Sequence, residues 1–209
     1  MNITGILLAG GKSSRMGTEK GMIRIHDREL MSFPLNALES VCDQIMISTC
    51  NDTFKYHDYQ VVCDEIPGLG PLGGIFTCLK KSASEINLVL SYDMPFVTPD
   101  LLKYIISHSC EYEITAPSLK DQLPEPLCTV YMKSTIPAIQ KSVRKKNYKV
   151  NDLFSVASFN HLIIDNTLPF YNPYLFYNVN KPEEFEKIQT IIRTRHFNPE
   201  KNNEGITGE

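Results

Sequence analysis

Along this chain, short and nearly uninterrupted apolar runs alternate with stretches whose apolar residues recur every three or four positions. The run at residues 3–8 is of the first kind and is closed by Gly10 and Gly11. Ile45-Met46-Ile47, Val61-Val62-Cys63 and residues 86–91 (INLVLS) are three more. The last is apolar along almost its whole length, which suits a central strand covered on both faces. Between the runs, Phe33, Leu35, Leu38 and Val41 mark a helix over residues 31–41, and residues 72–81 mark a second. Thr98 can cap a third through His108, with Pro99 in its first turn and Asp100 near the positive helix end. Strand and helix in this alternation predict an α/β fold: a single-domain, Rossmann-like three-layer α/β/α arrangement around a mostly parallel central sheet.

Beyond residue 110 the alternation loosens. Residues 113–116, 127–132 and 161–165 read as strands, and 136–143 and 183–192 as helices, the latter opened by Pro182 and two glutamates. Residues 1–195 are expected to form one domain. The polar residues 196–209 are expected to be a disordered tail. The pattern holds no internal repeat.

Composition narrows the function classes. The formal net charge is −3, so a broad basic surface that would hold nucleic acid by counterion release is not available. No stretch approaches the ~20 apolar residues that span a bilayer. The N-terminus lacks the basic segment of a signal peptide, so a cytoplasmic location is expected. The six cysteines, at 42, 50, 63, 78, 110 and 128, contain no C-x-x-C pair. Reduced, structural thiols are the expectation for all six.

Candidate chemistry starts right after the first strand, in LAGGKSSRMGTEKG, residues 8–21. Its glycines at 10, 11, 17 and 21 allow close backbone approach to a ligand, and successive amides in such a loop form a concave donor surface for phosphate oxygens. Lys12, Arg15 and Lys20 add three cations; Arg grips two phosphate oxygens in a fork, and Lys acts as a mobile point charge. The segment is neither a P-loop, whose first glycine would fall on Ile6, nor G-x-G-x-x-G, since Gly10 and Gly11 are adjacent. It reads as a triphosphate cradle, against the plainer alternative of a charged surface turn.

Transfer chemistry on phosphates also needs a divalent ion, and Mg²⁺ typically takes one or two carboxylates plus phosphates and waters. Asp93 ends the apolar strand INLVLSYD, at the strand edge where open α/β sheets bind ligands. Asp64 ends VVCD in the same way, although a turn or capping role would also account for it. IPGLGPLGGIF follows, with Gly70-Pro71 and Gly73-Gly74 making a rigid turn before a helix.

These segments together resemble a known family. Residues 8–20 are similar to the signature L-x-G-G-x-S-x-R-M-G-x-x-K of nucleotidyltransferases of the nucleotide-diphospho-sugar transferase fold, matching at Leu8, Gly10, Gly11, Ser13, Arg15, Met16, Gly17 and Lys20. GPLGGI resembles the molybdenum cofactor guanylyltransferases in particular. SYDMPF resembles their C-D-M-P-F, with Tyr92 in place of the Cys; EPLCTVY (125–131) resembles E-P-L-x-A-L-Y, and YNVNKPEEF (177–185) their late N-[IV]-N motif. Read without the family, Asn178 and Asn180 would cap the following helix.

The resemblance implies a Mg²⁺-dependent enzyme that transfers GMP from GTP to molybdenum-molybdopterin. It implies backbone contacts to the nucleotide from Leu8, Ala9, Gly10 and Gly11, and catalytic roles for Arg15, Lys20 and Asp93, with Lys20 on the phosphates. Asn51 and Asp64 would hold the nucleotide, and Asp93 the Mg²⁺. Proteins that deliver molybdopterin or receive the cofactor are conceivable partners. Two rivals stay open: a cytidylyltransferase acting on molybdopterin or an isoprenoid phosphate, and a non-catalytic nucleotide-binding module.

Overall fold

The computed structural model describes residues 2–10, 24–25, 28–51, 58–179 and 188. Its centre is a seven-stranded sheet built from β1 (Ile3–Leu8), β4 (Gln44–Ser48), β5 (Gln60–Val62), β6 (Ile86–Ser91), β7 (Ile114–Leu119), β8 (Cys128–Met132) and β9 (Phe159–Ile164). The remaining two, β2 (Arg24–Ile25) and β3 (Arg28–Glu29), make a small antiparallel ribbon. In space the seven run β5-β4-β1-β6-β8-β7-β9. All neighbouring pairs are parallel except the two that involve β8.

Among the described residues four α-helices cover the sheet: α1 (Ser32–Glu39), α2 (Pro71–Lys81), α3 (Pro99–Ser107) and α4 (Ile136–Arg144). Strand side chains alternate between two faces, and the core divides accordingly. Leu7, Ile47, Leu88 and Leu90 pack with Leu35 and Leu38 of α1 and Leu101, Leu102 and Ile105 of α3. Ile6, Leu8, Met46, Val62 and Val89 pack on the other side with Leu72, Ile75, Phe76 and Leu79 of α2 and Ile139 of α4. This is the three-layer arrangement that the apolar pattern predicts. Each fully buried Leu or Ile contributes about 1.5–3 kcal/mol, so both faces of β1 and β6 are committed to the core.

Local chemistry sets the helix limits. Thr98 has extended backbone, its hydroxyl accepts from the amide of Leu101 at 3.3 Å, and Pro99 follows as the first helical residue. At the opposite end of the sheet Thr4, Ser82 and Ser84 share hydroxyl hydrogen bonds that fasten the entry of β6 to β1. Strands β7 and β9 are longer at one end than the sequence pattern indicates. Two 3₁₀ turns, Lys133–Thr135 and Val150–Ser155, were not anticipated. Of the helix expected over 183–192 only Ile188 is described, helical and buried; residues 196–209 lie outside the described residues. Among the described residues no helix is long and apolar enough to cross a membrane.

The cap on α3 is directly testable. Thr98→Ala should cost about 1 kcal/mol and lower the melting temperature by about 2–4 °C, measured by circular dichroism. An unchanged melting temperature would show that the hydroxyl contributes nothing.

Candidate functional site

The site is built where strand order reverses. From β1 the chain steps outward to β4 and then β5, and β6 returns on the other side of β1. In open α/β sheets such a reversal is where ligands bind, in the crevice outside the carboxyl ends of the strands. The end of β1 is sewn to both neighbours: the Ala9 amide donates to the Ser48 carbonyl at 3.0 Å, and the Leu8 carbonyl accepts from the Tyr92 amide at 3.2 Å. Gly10 comes next, in ordinary contact distance of Ser48: a Cβ would stand 3.6 Å from its carbonyl oxygen. Leu8, Ala9 and Gly10 thus enter the crevice; Gly11, Arg15 and Lys20 lie outside the described residues.

Asp93 stands just past β6 and is only 9% exposed. Its Oδ1 accepts from the Ser91 hydroxyl at 2.6 Å, and its carbonyl accepts from the Val179 amide at 3.0 Å. The late motif is thereby brought to the same place, with Asn178 directly before Val179. The side-chain amide of Asn178 reaches the carbonyl of Phe176 at 3.5 Å. Burial, with the Asp93 charge beside it, pushes the Tyr92 phenol up to about 12, so it stays neutral.

A second carboxylate joins Asp93. Because β8 runs antiparallel to β6, the turn that precedes β8 lies at the same edge as the exit of β6. Glu125 sits in that turn. Its amide donates to the Pro117 carbonyl at 2.8 Å, its carbonyl accepts from the Thr129 hydroxyl at 2.6 Å, and its Oε1 accepts from the Leu127 amide at 3.1 Å. The Leu127 carbonyl in turn accepts from the Ser91 amide at 2.8 Å. Burial holds the Glu125 carboxyl above its ordinary range, and the charge of Asp93 adds to the effect. Among the described residues no group of three or more His, Cys, Asp or Glu could hold a metal. The carboxylate oxygens of Asp93 and Glu125 are donors of the kind that Mg²⁺ takes.

On the other flank of β1, Asp64 follows β5 and is half-buried. Burial raises its carboxyl above the ordinary range, while a hydrogen bond from the Ser48 hydroxyl opposes the shift. The first turn of α2 packs against it, and the two glycines there explain GPLGGI. A Cβ on Gly73 would lie 2.8 Å from Asp64 Oδ2; one on Gly74 would lie 2.4 Å from Ser48 Oγ and 3.1 Å from Leu8 Cδ2. Gly70, with φ of 60°, makes the turn that admits Pro71 as the first helical residue. Asn51 stands past β4, its amide donating to the Thr49 hydroxyl at 3.1 Å.

One expectation is corrected here. Cys50 and Cys63 are joined by a disulfide, with Cα atoms 4.4 Å apart, and only Cys42, Cys78, Cys110 and Cys128 are free. The physical reason is strand adjacency. Parallel pairing of β4 with β5 sets Ser48 opposite Val62, and the two cysteines emerge side by side beyond that pair. Their separation of 13 residues carries no trace of it. Burial pushes the thiols of Cys42 and Cys78 up to about 12, in keeping with inert structural cysteines.

The described site residues thus gather along one edge: Leu8, Ala9 and Gly10 in the middle, Asp93 on one side, and Asp64 and Asn51 on the other. Sequence reasoning gave no role to Ser48, Ser91 or Glu125. Glu125 was within reach, since it opens the EPLCTVY motif. The two serines had no signal beyond a hydroxyl at a strand end.

Comparison with known proteins gives the family and the fold. Residues 5–158 match the family model described as a MobA-like NTP transferase domain. A probable molybdenum cofactor guanylyltransferase of Natranaerobius thermophilus is 32% identical over 201 residues, covering 91% of this chain and 97% of that protein. One from Flavobacterium johnsoniae is 31% identical, over 89% of this chain and 96% of the relative. The crystal structure of molybdopterin-guanine dinucleotide biosynthesis protein A from Archaeoglobus fulgidus superposes with a TM-score of 0.77 at 19% identity. It covers 91% of this chain and 99% of that one, and speaks for the fold.

Two outcomes follow from the site's packing. Gly74→Ala should cost about 1–3 kcal/mol through overpacking, read as a lower denaturation midpoint in urea; an unchanged midpoint would mean that the helix moves freely away from Ser48. The raised carboxyl of Glu125 means that the folded chain holds this proton more tightly than the unfolded one. Its contribution to stability is complete below the unfolded value and is lost as pH rises through the folded one. Glu125→Gln should therefore melt higher than the unsubstituted protein near pH 8, with the gap closing toward pH 4. A gap independent of pH would contradict the buried-charge account.

Proposed function

We propose, on the premise that the chain belongs to the MobA-like NTP transferase family, that it moves GMP from GTP to molybdenum-molybdopterin and releases pyrophosphate. Membership makes the chain a nucleotidyltransferase; base, acceptor and metal are our reading. The observation that carries it is the meeting of Leu8–Gly10, Asp64 and Asp93 at the one edge where the strand order reverses.

In this reading the triphosphate follows the loop that Leu8, Ala9 and Gly10 begin, with Arg15 and Lys20 neutralising charge that builds on the departing pyrophosphate. Asp93, steadied by Ser91, holds Mg²⁺, which when bound screens the phosphate oxygens from one another. The acceptor's terminal phosphate is ionised at neutral pH and attacks the α-phosphorus in line, so no side chain needs to remove a proton. Catalysis then consists of positioning and electrostatic stabilisation. Asp64 and Asn51 hold the nucleoside end. An ionised carboxylate accepts hydrogen bonds only, which suits the two adjacent N–H donors of guanine better than the edge of cytosine.

The test is pyrophosphate release from each of the four nucleoside triphosphates, with and without molybdenum-molybdopterin and Mg²⁺. Release is expected with GTP alone, dependent on acceptor and metal, and Lys20→Ala should lower kcat by about 100-fold or more without shifting the melting temperature. Preference for CTP would move the assignment to a cytidylyltransferase. Silence with all four would leave a binding module.

A further inference from the structure

We infer that Cys50 and Cys63 are a redox-modified pair whose state sets the affinity of the nucleotide site; the inference rests on the role proposed above for Asn51 and Asp64. Each cysteine immediately precedes one of those two residues, so the disulfide joins the two backbone segments that present them. Its leverage comes from the sheet. Strand β5 has three residues, lies at the sheet edge and pairs only with β4. The ladder between them ends with the Thr49 amide on the Val62 carbonyl at 2.9 Å. Past that bond, the covalent link ties Cys63 to the end of β4, and the hydrogen bond from the Ser48 hydroxyl holds Asp64 beside it.

The pair is also reachable. Cys50 and Cys63 are both exposed, whereas Cys78 and Cys128 are buried and Cys42 is half-buried. The other exposed thiol, Cys110, is single. Thiol–disulfide exchange balances simply. The two thiols lose two protons and two electrons and form one S–S bond, while a low-molecular-weight disulfide takes them up and becomes two thiols. A dithiol reverses the step and is itself oxidised to a cyclic disulfide.

With the bond closed, Asp64 is confined between Gly73, Gly74 and Ser48 on one side and the tether through Cys63 on the other. With the bond open, Asp64 keeps the Ser48 hydroxyl and the packing of α2, but Cys63 loses its tether to β4, and the freedom so gained is subtracted from affinity when nucleotide binds. Linkage requires the reverse effect as well: whatever factor oxidation adds to GTP affinity, GTP adds to the tendency of the pair to be oxidised.

The experiment is calorimetric titration of the full chain with GTP and Mg²⁺ in the oxidised form, after dithiothreitol, and as Cys50→Ser/Cys63→Ser, with oxidised Asp64→Asn as the reference for nucleotide binding. Reduction should weaken binding by about fivefold or more, and the double serine variant should bind like the reduced chain and ignore dithiothreitol. In a glutathione redox buffer, maleimide labelling should show saturating GTP raising the ratio of oxidised to reduced chain by the same factor. Equal affinity in all three forms, with Asp64→Asn weakened, would overturn the redox inference and leave the nucleotide reading standing. Binding that is absent, or indifferent to Asp64→Asn, would defeat that reading and the inference with it. Loss of the circular dichroism signal on reduction would make the bond purely structural and overturn the inference as well.

Discussion

Two backbone hydrogen bonds at the end of β1 govern this molecule. By giving its Ala9 amide to the end of β4 and its Leu8 carbonyl to the start of the turn after β6, the first strand locks together the two halves of the sheet at the point where the strand order reverses. The described site residues are positioned from there. Gly10 leaves between the two halves, Asp64 and Asp93 hang one from each, and the core on both faces of β1 keeps the junction from shifting.

The carboxylates themselves are costly. Asp64 and Glu125 are held partly out of water, with their ionised forms disfavoured, and Asp93 lies almost wholly covered beside Glu125. A fold selected for stability alone would not gather buried negative charge at one edge. Hydroxyls from Ser48 and Ser91 and the Leu127 amide relieve part of the cost. A cationic or hydrogen-bond-donating ligand would relieve more. Perturbed carboxyls of this kind are a recurrent mark of working sites.

Much of this was legible in the residues. The strands at 3–8 and 86–91 and the cap at Thr98 came straight from apolar period and turn chemistry, because those signals are local. That Asp93 and Asp64 stand at one edge of the sheet was legible because each ends an apolar run. What escaped was non-local. The disulfide depends on which strands are neighbours, and Glu125 approaches Asp93 only because β8 runs against β6. The glycines of GPLGGI looked like a tight loop, whereas their constraint comes from Ser48 and Leu8, far away in sequence.

The direction of β8 has a wider consequence. A parallel strand would have delivered its exit to this edge and required a helical crossover to reach it. The antiparallel one delivers its entrance, so the hairpin turn between β7 and β8 forms one rim of the crevice without disturbing any helix. That rim holds Glu125 through bonds within the turn, and the opposite rim holds Asp64 against α2. A ligand entering between them therefore meets a carboxylate from either wall.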